Sequence, residues 1–144
     1  MTLGKTMQSK TMQFNEVQVG DKLPGLDIPI TVTLISGGAI ATRDFFKGHH
    51  DKDAAIELGS PHVFMNILTT NGLVQNFIEQ WSGPESRFLD LDIKLGMPNY
   101  PGDTMKFKGE VIAKDEATRT VDVGLAGINQ YGPHVTGTVR LVLP

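Results

Sequence analysis

The sequence predicts an α+β domain in which an antiparallel sheet packs around one long helix. Two observations carry that prediction. Within SPHVFMNILTTNGLVQNFIEQWSGP, residues 66–81 repeat apolar side chains at helical spacing. Ile67, Val74, Ile78 and Trp81 lie seven, four and three apart, and Leu73 and Phe77 fill the same side. Beyond residue 86 the period changes. Four β-rich segments, 87–95, 103–115, 119–130 and 134–144, are separated by turn signals at YPGD, DEAT and YGP. The chain has 144 residues, enough for one domain (1–144) with its own core.

The elements follow in order. Residues 1–14, MTLGKTMQSKTMQF, are polar and lack the apolar centre of a signal peptide, so they read as a frayed lead-in. VGDKLPGLDIP (19–29) is a turn-rich entry. ITVTLIS (30–36) is β-branched and reads as a strand that the Gly37-Gly38 pair breaks. Asp51 can cap a short helix through Leu58, with Gly59 as its stop. PHVF (61–64) reads as extended, and Asn66 caps the long helix, although Ser60-Pro61 offers an alternative start. In RFLDLDIKL (87–95), strict alternation puts Phe88, Asp90, Asp92 and Lys94 on one face, most simply a solvated one. Leu89, Leu91, Ile93 and Leu95 take the other. A helix apolar over so much of its girth needs the sheet to wrap it, which is the hot-dog architecture.

Composition narrows the function classes. Thirteen Lys and Arg against sixteen Asp and Glu give a net charge of -3, so no basic footprint points to nucleic acid or an anionic membrane. The absence of cysteine excludes disulfides, iron–sulfur clusters and thiol chemistry, and fits a cytoplasmic protein. No apolar run reaches the length of a membrane span.

The densest cluster of reactive side chains is RDFFKGHHDKD, residues 43–53. A metal site from His49, His50, Asp51 and His62 fits poorly, because adjacent residues ligate awkwardly and zinc spacings are absent; no metal is expected. Asp44 and His49, five apart, suit acid–base work, since imidazole titrates near neutrality and a carboxylate can orient water. In an extended segment His50 would face away from His49. His62 and His134 read as packing or turn residues.

Asp44, His49, the acid at Asp51 and the alanines at 54 and 55 resemble the MaoC-like, (R)-specific enoyl-CoA hydratase family. That family's pattern runs Gly-Asp-x-Asn-Pro-x-His-x-Asp/Glu before a short alanine-bearing helix. The order of elements from residue 30 onward, including NQYG at 129–132, is similar too. Arg43 replaces the family glycine, Phe46-Lys47 its Asn-Pro, and Asn66 the glycine at the mouth of the central helix. ATRDFFKGHHDKDAAIELGS, FMNILTTNGLVQNFIEQWSGP and LGMPNYPGDT together resemble the small MaoC-like subunits of actinobacterial steroid side-chain hydratases.

The resemblance implies hydration of a 2-enoyl-CoA with Asp44 and His49 catalytic, and no cofactor, CoA being part of the substrate. It implies a larger MaoC-like partner in a heterotetramer, with a homo-oligomer as the alternative. Open sheet edges also call for covering. The backbone N–H groups at Asn66 and Ile67, at the start of the helix, are the expected oxyanion donors, with the Asn66 carboxamide turned away. Gly72 would allow close approach of a strand or acyl chain. A hot-dog thioesterase would place a carboxylate on or near this helix, which carries only Glu79 near its far end. A non-catalytic acyl-binding subunit would not need the Asp-His pair.

Overall fold

A computed structural model of the chain describes residues 10–144. Four antiparallel strands follow the long helix α3 (Ile67–Ser82): β2 (Arg87–Leu95), β3 (Thr104–Asp115), β4 (Thr120–Asn129) and β5 (Gly132–Val142). A short β1 (Leu26–Pro29) precedes α1 (Val32–Ala41) and α2 (Lys52–Glu57). The sheet order is β1-β3-β4-β5-β2. Alternate residues of β4, Val121, Val123 and Leu125, are buried and share one core with Val74, Phe77 and Ile78 of α3. The Phe77 and Phe107 rings stack at 4.9 Å, joining helix to sheet. This is the α+β, helix-on-sheet arrangement that the change of period predicts.

Three readings of secondary structure are corrected. The segment read as a strand at 30–36 lies mostly in α1. Thr31 caps it by accepting from Leu34 N–H at 3.0 Å, and Ile35 and Ala39 bury one face at i, i+4 spacing. The Gly37-Gly38 pair does not break this helix. A Cβ on Gly38 would lie 2.2 Å from Thr69 Oγ1, so glycine lets α1 close on α3. Tertiary packing here overrides β-branched propensity. The first strand is instead β1, read as turn because of its flanking glycine and prolines. It is short, pairs only with β3, and ends in Pro29 at the sheet edge.

The third correction lies in β2, where the pairing slips between Phe88 and Asp90. The extra residue is Leu89. This bulge turns Phe88 to the core side with Leu91 and Ile93 and leaves Leu89 48% exposed. Strict alternation put Phe88 on the opposite face.

Residues 1–9 of the lead-in read as frayed lie outside the described residues. From Thr11 onward the chain is packed. Met12 N–H donates to Ser82 O at 2.9 Å, and Phe14 is fully buried beneath the Lys114 ammonium, 4.1 Å from its ring.

Candidate active site

The site begins at the C-terminus of α1. Thr42 ends the helix, Arg43 adopts φ 57, Arg43 N–H donates to Ile40 O, and Asp44 N–H donates to Ala39 O. These two bonds form a Schellman motif, whose left-handed position favours glycine. The resemblance places a family glycine at this position. Asp44 is therefore aimed by a helix terminus, with Arg43 in the left-handed conformation.

His49 closes a single 3-10 turn, Lys47–His49, rather than an extended segment. The turn separates the two histidines: His49 is 7% exposed, while His50 is exposed and holds Phe45 O with Nε2 at 3.2 Å. His49 Nδ1 donates to Phe64 O at 2.6 Å. A carbonyl can only accept, so the neutral ring carries its proton on Nδ1 and its lone pair on Nε2. Nε2 lies 3.4 Å from Asp44 Oδ2. The rings of Phe46 and Phe64 meet the imidazole edge-on, at 5.4 and 4.9 Å between centroids. Gly48 permits this clamp, because a Cβ there would fall 2.8 Å from both phenyl rings.

The start of α3 supplies the third side. Asn66, 2% exposed, caps the helix by accepting from Thr69 N–H at 3.0 Å through Oδ1. Its Nδ2 donates at 3.0 Å to Asp44 Oδ2 and at 3.0 Å to Thr42 Oγ1. The carboxamide expected to turn away instead faces the reactive pair. The N-cap preference made Asn66 visible in the sequence, but its bond to a side chain 22 residues earlier has no local signal. Among the described residues, the N–H groups of Asn66 and Ile67, the two expected donors, and of Leu68 have no acceptor within the protein. The Asn66 amide is the foremost cause holding the Asp44 carboxyl below its ordinary value, aided by Phe46 N–H and His49.

The other candidates stay apart. His62 Nδ1 only accepts from the neighbouring Val63 N–H. His134 is buried: Nδ1 donates to Met97 O at 2.7 Å, so Nε2 accepts from Thr70 Oγ1 at 2.9 Å, and burial pushes its pKa down. Gly72 has open space where a Cβ would stand, so no strand closes on it. Glu79 is exposed, twelve residues beyond Ile67 and so roughly 18 Å along the helix. Among the described residues no three His, Asp or Glu side chains converge to hold a metal, and no helix is long and apolar enough to cross a membrane.

No model of a known protein family matches the chain. It is 45% identical over 123 residues to the 3-oxo-4,17-pregnadiene-20-carboxyl-CoA hydratase beta subunit of Mycobacterium tuberculosis, covering 85% of this chain and 94% of that one. Among solved structures it is similar to the ChsH1-ChsH2 complex of Mycobacterium tuberculosis, at 42% identity and a TM-score of 0.85, covering 88% of this chain and 98% of that one. The (R)-hydratase of A. caviae involved in PHA biosynthesis shares the fold at 22% identity and a TM-score of 0.82, over 89% and 98% of the two chains.

Proposed function

The chain belongs to the MaoC-like hydratase family, beside the pregnadiene-carboxyl-CoA hydratase beta subunit, and on that premise we propose that it is the catalytic small subunit of a heteromeric enoyl-CoA hydratase. Its substrate is the 2-enoyl thioester of a steroid side-chain acid, and its partner is a larger MaoC-like subunit. The carrying observation is the Asp44–His49 pair, tied through Asn66 to the start of α3, whose first N–H groups have no acceptor among the described residues.

The residues divide the reaction between them. A water held by Asp44 and His49 gives its proton to the lone pair on His49 Nε2 as its oxygen bonds to Cβ of the enoyl group. The π electrons move toward the thioester oxygen, for which the Asn66 and Ile67 N–H groups, at the positive end of α3, are the proposed donors. The enolate then takes a proton at Cα from the imidazolium, so water is added and His49 is regenerated. No cofactor enters this balance, because CoA is carried by the substrate. Asp44 keeps its charge and orients the water.

The test is turnover of a steroid 2-enoyl-CoA by the chain co-expressed with its larger partner, followed by loss of enoyl absorbance. Asp44→Asn and His49→Ala should each lower kcat by about 10²–10⁴ with the melting temperature kept, and His50→Ala by far less. Release of free thiol without loss of the double bond would replace this reading with thioester hydrolysis.

A further inference from the structure

We propose that Asn66 is a positioning residue: its carboxamide holds Asp44 as an oriented carboxylate and ties that carboxylate to the start of α3. The inference rests on the hydratase reading for its kinetic consequence, but its geometry stands apart from it.

The donors and acceptors of one amide fix this arrangement. Oδ1 of Asn66 is committed to Thr69 N–H, so the Nδ2 group must point the other way. Its two hydrogens have two acceptors, Thr42 Oγ1 and Asp44 Oδ2. The Thr42 hydroxyl spends its own hydrogen on Gly38 O at 2.7 Å, so it can only accept from Asn66. Asp44 Oδ1 accepts from Phe46 N–H at 3.3 Å. Each carboxylate oxygen thus meets an N–H donor, and a proton added toward either donor would set hydrogen against hydrogen. The arrangement suits the ionised form. Among the described residues, His49 is the titratable group facing Asp44.

One side chain thereby joins two parts of the site. The N-cap sets where α3 begins, and with it the Ile67 N–H. The same amide sets where the carboxylate stands. An asparagine does both because it has one acceptor and two donors. Serine supplies the cap alone, and aspartate supplies the cap but repels the carboxylate.

The test uses the full chain with its co-expressed partner. Asn66→Ser and Asn66→Asp both retain a good N-cap. With aspartate labelled at Cγ, the Asp44 titration midpoint should move up in both, further in Asn66→Asp, where the two carboxyls titrate as a pair. Asn66→Ser should lower kcat by about 10-fold or more with little change in KM, and by less than about 2-fold in an Asp44→Asn background. An Asp44 midpoint unmoved in both variants overturns the proposal, and so does a full kcat loss that persists without the carboxylate. A shifted midpoint in a chain that hydrates no enoyl thioester would sustain the Asn66 role and remove the hydratase reading.

Discussion

Arg43 carries a visible conformational cost at the edge of the site. A non-glycine residue in the left-handed region is disfavoured by roughly 1–2 kcal/mol, partly offset by glycine's larger entropy loss on folding. Arg43→Gly should therefore raise stability by about 1 kcal/mol or less, read as a higher urea midpoint at unchanged slope. A lower midpoint would mean that the arginine side chain contributes more than its backbone costs. Of the candidate site residues, Asp44 and His49 were legible as candidates because their spacing and neighbours match a reactive pattern, and the fold brings them within 3.4 Å. Asn66 was legible only as a cap. Its second task depends on Thr42 and Asp44 being carried to it by α1.

At the scale of elements, the start of α3 allows a clean separation of structure from chemistry. Ile67 is the first helical residue, where proline is well tolerated because its N–H has no helical partner. The preceding Asn66 has φ -82 and ψ 160, the extended conformation that a following proline favours. Ile67→Pro should thus preserve the helix, measured by circular dichroism and melting temperature, while deleting the proposed oxyanion donor. A loss of about 10²–10³ in kcat is expected, and near-normal turnover would place the donor elsewhere. Long periodic elements were read closely: 66–81 against Ile67–Ser82, and 87–95 against Arg87–Leu95. Short ambiguous ones were not. The run at 30–36 fits a strand by composition, and contact with Thr69 is what makes Gly38 useful in a helix.

For the whole molecule, the sheet ends on one side in β2, which pairs with β5 alone and exposes Leu89 and Leu95. Such an edge invites covering. Expressed with a larger MaoC-like subunit, the chain should sediment as a heteromer with full hydratase activity; expressed alone it should aggregate or turn over poorly. A stable monomer with full turnover would end the assembly proposal. By itself the sequence determined the fold class, the central helix, the four C-terminal strands and the Asp44–His49 candidates. Side-chain periodicity is imposed by the local backbone, so it survives in one dimension. Tertiary structure alone decided that α1 is a helix, that Leu89 bulges and reverses Phe88, and that Asn66 faces Asp44. Each of these is settled by contacts between residues distant in the chain, whose free energies exceed the local preferences they override.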